Sequence, residues 1–99
     1  MFVGICILTY YFPEVENLKA KRSRLNSIKD VLKRKYNISI AEVDYENLWQ
    51  RTVLGISMVS NDKKFIDKNF SKIISDVEKL PYGYLNDIFI DFLSIGEKY

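Results

Sequence analysis

The fold is decided by residues 38–60, ISIAEVDYENLWQRTVLGISMVS, which predict two strands joined by a short polar loop. Residues 38–45 alternate weakly between apolar and polar side chains, and residues 51–60 alternate again after the polar stretch 46–50. Alternation with a period of two is typical of strands, and two strands this close in sequence are expected to pair. The middle of the chain is therefore predicted to be a β-hairpin.

A helix is predicted on each side of this hairpin. Asn17 can cap a first helix over residues 18–35, whose apolar positions repeat at helical spacing. Asn61 and Asp62 form a second cap signal, for a helix that ends before Pro81. The predicted inner positions are Leu18, Leu25, Ile28 and Leu32 on the first helix, and Ile66, Phe70, Ile73, Val77 and Leu80 on the second.

Two further strands are predicted outside the helices, over residues 2–12 and 84–93, with a short polar tail that ends at Tyr99. The resulting βαββαβ order predicts a single α+β domain over residues 1–99 with the ferredoxin-like fold. In that fold both helices lie on one face of a four-stranded antiparallel sheet. A chain of 99 residues is too short to form a second core.

The other face of the sheet is predicted to be uncovered and apolar. If Cys6 and Leu8 face the helices, then Val3, Ile5 and Ile7 face the solvent. Large exposed apolar patches mark interaction sites. We therefore expect part of this face to be covered, either in a homodimer or by another protein.

The composition argues against an enzyme and against a cofactor or metal site. The chain has no histidine, the commonest general base and zinc ligand. Cys6, the only cysteine, lies in an apolar run and is predicted to be a buried hydrophobe in a chain suited to the reducing cytoplasm. The first apolar run, residues 2–12, is too short to span a bilayer. No catalytic residue, cofactor, metal site or membrane contact is predicted.

Two features of the hairpin leave alternatives open. Glu42, Asp44 and Glu46 alternate, so the first two are expected to share one face of a strand. They form either a divalent-metal site or, preferably, a set of acids that keeps an edge strand from pairing. Trp49, beside Arg51, is either a plug at one end of the core, which is preferred, or a stacking surface.

The main electrostatic feature is the basic first helix. Residues 19–35 contain eight basic residues and one acid, in a chain with a formal net charge of +2. Several of these cations fall in one stripe beside the apolar face, a pattern that suits nucleic-acid phosphates but also a solvated surface. In the second helix Lys64, Lys68 and Lys72 repeat at four-residue spacing. The predicted phosphate-binding residues are Lys19, Lys21, Arg22, Lys29, Lys33 and Arg51.

Several short motifs occur in order from residue 3 to about residue 93. They are Val-Gly at 3–4, Leu-Lys-x-Lys-Arg at 18–22, Ala-Glu-Val-Asp at 41–44, Leu-Trp-Gln-Arg at 48–51, Leu-Gly at 54–55 and Val-Ser-Asn-Asp at 59–62. Together they resemble the YlxP-like family of small bacterial proteins, domain of unknown function 503. The resemblance implies a ferredoxin-like fold, no established activity, and genes that often lie among those for transcription elongation, translation initiation and ribosome maturation. This chain departs from the family at Tyr11 and Tyr45, where histidine is common, and at Asn47, where an acid is common.

These features suggest three functions. The leading hypothesis is a non-catalytic accessory protein that binds ribosomal RNA or ribosomal subunits through the basic helix. The alternative is a homo-oligomeric protein-interaction module that uses the uncovered sheet face. A phosphatase comes third, because small ferredoxin-like phosphatases use an arginine and an asparagine, here Arg51 and Asn61, but their glycine-rich phosphate loop is missing.

Overall fold

The computed structural model describes residues 1–96 and contains four strands and two helices in the order βαββαβ. Their bounds are β1 Phe2–Tyr11, α1 Leu18–Lys35, β2 Ser39–Asp44, β3 Arg51–Ser60, α2 Lys63–Glu78 and β4 Tyr84–Ser94. α1 and β3 have the predicted bounds, and the other elements differ only at their ends. The predicted polar tail extends to residues 97–99, which lie outside the described residues.

The strands within residues 1–96 form one antiparallel sheet in the order β2-β3-β1-β4. β1 pairs along its full length with β3, from Phe2 opposite Ser60 to Tyr11 opposite Arg51. On its other side β1 pairs with β4, with one irregularity next to Thr9. This order and direction are those of the ferredoxin-like fold, so the predicted fold class is confirmed.

Both helices cover the same face of the sheet, as predicted. Cys6 and Leu8 of β1 are fully buried, whereas Val3, Ile5 and Ile7 alternate with them and are only partly buried. The predicted inner residues that are buried are Leu25, Ile28, Leu32, Ile66, Phe70, Ile73 and Val77. Leu18 is instead exposed, so the inner face of α1 begins further along the helix than predicted. Leu80 follows the end of α2 and is partly buried against the core.

Both helices begin at predicted cap residues. Asn17 Oδ1 accepts a hydrogen bond from the Ala20 amide at 2.8 Å, and Asp62 Oδ1 accepts one from the Lys64 amide at 3.0 Å. Each contact satisfies a free amide of the first turn, which is worth about 1 kcal/mol. Within residues 1–96, neither helix is long and apolar enough to cross a membrane.

The uncovered sheet face is apolar at its surface and acidic along one edge. Val59, Phe89 and Leu93 are 59%, 54% and 47% exposed. On the edge strand β4, the carboxylates of Asp87 and Asp91 each accept a hydrogen bond from the amide of the following residue. These contacts occupy two amides of an edge strand, which hinders its pairing with a strand of another molecule.

Candidate nucleic-acid interface

The predicted phosphate ligand Lys21 is fully buried where α1 meets β2. Its Nζ lies 3.0 Å from Glu42 Oε2 and donates a hydrogen bond of 2.6 Å to the Tyr45 carbonyl. An ammonium enclosed in this way cannot reach a ligand, so the prediction for Lys21 is wrong. The signal was present in the sequence, because Lys21 lies four residues before Leu25 and seven before Ile28, the spacing of the inner helix face.

Glu42 is the centre of this buried network. Besides Lys21, its carboxylate accepts hydrogen bonds from Arg22 Nη1 at 2.7 Å and from Thr52 Oγ1 at 2.6 Å. The Glu42 side chain is only 6% exposed. Burial acts to raise the pKa of this carboxyl, but the hydrogen bonds from Thr52, Lys21 and Arg22 outweigh it and hold the pKa below its usual value. Glu42 is therefore ionised at neutral pH and balances the buried cation.

Glu42 and Asp44 do not share a face of the strand, contrary to the prediction. β2 is irregular between them, so that Glu42 opposes Leu54 whereas Asp44 opposes the adjacent residue Val53. Because neighbouring residues of a strand face opposite sides, the bulge places Asp44 on the uncovered side. Glu42 is thus a buried ion-pair partner and not an acid that protects an edge. Within residues 1–96, no three acidic or cysteine side chains are grouped as metal ligands.

The loop between β2 and β3 is held on both sides. Tyr45, at its start, has a φ of 61°, a left-handed conformation that residues with a Cβ rarely adopt. Its carbonyl accepts the hydrogen bond from the buried lysine, and Arg22 Nη2 donates to the Glu46 carbonyl at 2.9 Å. At the other end of the loop, the Phe12 amide donates to the Gln50 carbonyl at 2.8 Å. A strained loop fixed by its surroundings is typical of functional segments.

A cleft of about 380 Å³ opens beside this loop. Trp49 is 51% exposed there, so the preferred prediction that it plugs the core is wrong and the stacking alternative remains. The guanidinium carbon of Arg51 lies 5.9 Å from the centre of the Tyr11 ring, which in turn lies 5.3 Å from the Tyr84 ring. The lining of this "Trp49 cleft" consists of Tyr11, Asn47, Leu48, Trp49, Gln50 and Arg51.

The other predicted cations of α1 lie on its outer surface. Lys19 and Lys33 are exposed and Lys29 is partly buried, and none of the three forms an ion pair with another described residue. We call these three residues the α1 lysine stripe, which extends about 21 Å along the helix at 1.5 Å per residue. Arg22 is 46% exposed, but its guanidinium is already engaged by Glu42. Arg22 is therefore only partly available to a ligand.

Basic residues of α2 form a second cationic surface, and they are not among the predicted phosphate-binding residues. The exposed lysines of α2 without an ion-pair partner among the described residues are Lys63, Lys64, Lys68 and Lys72. A groove of about 490 Å³ between the end of α1 and α2 is lined in part by Lys35, Lys72 and Lys79. Asp76 also lines it, and the hydrogen bonds from Tyr36 Oη at 2.6 Å and Lys35 Nζ at 2.9 Å lower its pKa. The four-residue repeat of lysines was the signal for this part of the surface.

The geometry does not assemble the residues of the phosphatase hypothesis. Arg51 is the first residue of β3 and Asn61 follows its last residue, so about 30 Å of extended chain separates them. Cys6 is fully buried, as predicted, and burial raises its pKa to about 11. A thiol with this pKa is protonated near neutral pH and is a poor nucleophile.

Comparison with known proteins agrees with the short motifs in the sequence. A family described as "Protein of unknown function (DUF503)" matches residues 3–88. The chain belongs to this family. One relative, the "Uncharacterized protein YlxP" of Bacillus subtilis (strain 168), is 34% identical over 65 residues, which cover 66% of this chain and 71% of the relative. The resemblance to the YlxP-like family is confirmed, and both the Trp49 cleft and the α1 lysine stripe lie within the DUF503 segment.

Proposed function

We propose that this protein binds the phosphate backbone of RNA through its two helices, as a non-catalytic accessory protein associated with RNA or with the ribosome. The observation that carries the proposal is the separation of charge between the two layers of the fold. The helices contain twelve of the fifteen basic residues and four of the thirteen acidic residues. The helix layer is therefore strongly basic in a chain whose formal net charge is only +2.

The helix layer presents seven lysines that form no ion pair with another described residue, namely Lys19, Lys29, Lys33, Lys63, Lys64, Lys68 and Lys72. A nucleic-acid strand carries one phosphate about every 3.4 Å, so a row of unpaired lysines can follow it without reading its bases. In α2, Lys64, Lys68 and Lys72 repel each other at four-residue spacing, which costs a few tenths of a kcal/mol per pair. A bound phosphate relieves this repulsion. These contacts favour binding that tolerates any sequence and weakens with salt.

The uncovered sheet face is less suited to nucleic acid. Asp87 and Asp91 lie opposite Thr9 and Ile5, on the side away from the helices. Arg51 is the only basic residue within the four strands. Carboxylates without cations repel phosphates, which leaves the helix layer as the surface for RNA.

A cytoplasmic location belongs to the same proposal. Cys6 is a free, buried thiol, and chains with a single unpaired cysteine suit a reducing compartment. Ribosomal RNA and ribosomal subunits are present in that compartment.

The test is RNA binding by a variant with a reversed lysine stripe, Lys19→Glu, Lys29→Glu and Lys33→Glu. Binding to ribosomal RNA fragments and to ribosomal subunits at low salt should be lost, while circular dichroism shows an unchanged fold, since no core residue is altered. The matched control replaces the same residues with arginine and should bind like wild type. Arg22 is left intact, because its reversal would disturb Glu42. Equal binding by the glutamate variant and the wild type would contradict the proposal.

The uncovered sheet face supports a second function, protein interaction or self-association. Val59, Phe89 and Leu93 expose about half of their surface on one side of the sheet. Exposed apolar clusters of this kind mark interaction sites. The two functions use opposite layers of the fold and are compatible.

A further inference from the structure

The Trp49 cleft combines the groups that hold a flat aromatic ligand. Trp49 and Leu48 are 51% and 48% exposed, so two large apolar side chains face the solvent side by side in the sequence. Among residues 1–96, no carboxylate lines the cleft, and its polar groups include two amides, one guanidinium and the hydroxyl of Tyr11. Its volume of about 380 Å³ falls within the range of small-molecule sites, about 300–1,000 Å³.

Two polar side chains of the cleft, Asn47 and Arg51, are free to contact a ligand. The Arg51 guanidinium packs over Tyr11 and forms no ion pair with another described residue. The Asn47 side chain makes no hydrogen bond within residues 1–96, so its amide can donate to and accept from the edge of a base. Aromatic rings and guanidinium planes are the surfaces on which proteins stack unpaired bases.

The cleft is formed before any ligand arrives. Gln50 Nε2 donates to the carbonyls of Pro13 and Val15, both at 3.3 Å, and so ties the end of the loop to the segment before α1. Lys21 and Arg22 tie the start of the same loop to α1. A site held in place by its surroundings loses little conformational freedom on binding.

We propose that the Trp49 cleft binds one unpaired nucleobase of the RNA chain that the helix layer holds, so that the protein prefers single-stranded RNA to duplex. The inference rests on the proposed function. It follows from the position of the cleft, whose loop is bonded directly to the first turns of α1, where the lysine stripe begins. A base in a duplex is stacked and paired and cannot enter the cleft.

The charge around the cleft fits a base better than a phosphate. Glu14, Glu16 and Glu46 are exposed in the adjoining loops and offset the charge of Arg51. Attraction in the cleft is therefore expected from stacking and hydrogen bonds, which depend little on salt, whereas the helix layer depends on charge.

The experiment uses Trp49 as its own reporter, since it is the only tryptophan in the chain. The fluorescence of the full chain is titrated with a single-stranded 12-nucleotide poly-A RNA, with an abasic 12-residue chain of the same charge, and with a duplex of the same length. We expect the single-stranded RNA to quench Trp49 strongly and to bind more tightly than the abasic chain. The abasic chain and the duplex should leave the fluorescence nearly unchanged, although both bind the helices.

Two variants of Trp49 distinguish the contribution of base stacking to RNA affinity from the contribution of charge. Trp49→Ala should weaken binding of the single-stranded RNA about 5- to 150-fold, the effect of losing one base–aromatic stack, and should leave binding of the abasic chain unchanged. Trp49→Phe keeps an aromatic face and should restore most of the affinity. Equal binding of RNA and abasic chain, or no effect of Trp49→Ala, overturns the inference and leaves the proposed function standing. Failure of every chain to bind at low salt overturns both.

Discussion

Lys21 and Glu42 form an ion pair at a position that the helix pattern would fill with an apolar residue. Removing two charges from water is costly, and only good geometry and further hydrogen bonds compensate for it. Both conditions are met here, since Glu42 accepts from Lys21, Arg22 and Thr52 while Lys21 also donates to the Tyr45 carbonyl. The pair therefore fixes the loop relative to α1 as much as it stabilises the core.

Removing one partner of this ion pair should lower the free energy of unfolding more than removing both partners. Lys21→Met removes the fully buried cation beside Glu42 and leaves Arg22 as its ion-pair partner, so we expect the free energy of unfolding to fall by up to about 3–5 kcal/mol. The double variant Lys21→Met with Glu42→Gln removes both charges and should recover a large part of this loss. Urea unfolding of the wild type, both single variants and the double variant measures the coupling. A loss below about 0.5 kcal/mol for Lys21→Met, typical of surface sites, would mean that Lys21 is not buried.

The same pair should make stability sensitive to acid. The pKa of Glu42 is lower in the folded chain than its usual value, so its stabilising contribution is present above the unfolded pKa of about 4.3 and is lost as the pH falls through the lower folded pKa. Asp76 is shifted in the same direction. Free energies of unfolding measured from about pH 5 to pH 2 should decline less steeply for Glu42→Gln and for Asp76→Asn than for wild type. Identical slopes for Glu42→Gln and wild type would contradict the assignment.

At the scale of helices and strands, local signals predicted most of the fold. The bounds of α1 follow from the cap residue Asn17 and from Leu25, Ile28 and Leu32, because capping and helical periodicity depend on neighbours in sequence. β3 is likewise predicted by its alternation. Neither signal needs information about the rest of the molecule.

The hairpin loop was predicted less well, since contacts from distant elements decide it. Hydrogen bonds from α1 fix the bulge after Glu42 and the left-handed Tyr45. The donor to Tyr45, Lys21, lies 24 residues away in the sequence. The core near the loop is filled by Tyr10 and Phe12, whose rings pack edge to face at 5.0 Å. No space is left there for Trp49, and this exclusion is not visible in the sequence around it.

At the scale of the whole molecule, the two layers of the fold have opposite surface chemistry. Basic helices lie on one side, and an apolar sheet with acids at its β4 edge lies on the other. A phosphate-rich partner fits the first surface and a protein fits the second. In the proposed function, one small domain would join an RNA to a protein, or to a second copy of itself.

Self-association is expected through the sheet face. Sedimentation at micromolar concentration should show a dimer, because Val59, Phe89 and Leu93 become buried when two such faces meet. Val59→Lys with Leu93→Lys should shift the protein to monomer, whereas Ser71→Lys on the exposed side of α2 should not. A monomeric wild type would count against self-association and leave the face for another protein.

The salt dependence of RNA binding tests the role of the helix layer most directly. Each phosphate contact on a single strand contributes about −0.7 to the slope of log K against log salt concentration, so the three lysines of the α1 stripe together account for about −2. The affinity of wild type and of the neutral variant Lys19→Ala, Lys29→Ala and Lys33→Ala would be measured on one single-stranded RNA over a series of salt concentrations. We predict a slope for the variant that is shallower by about 2. Parallel slopes for the two proteins would show that these lysines do not contact phosphates, and would contradict RNA binding through the α1 lysine stripe.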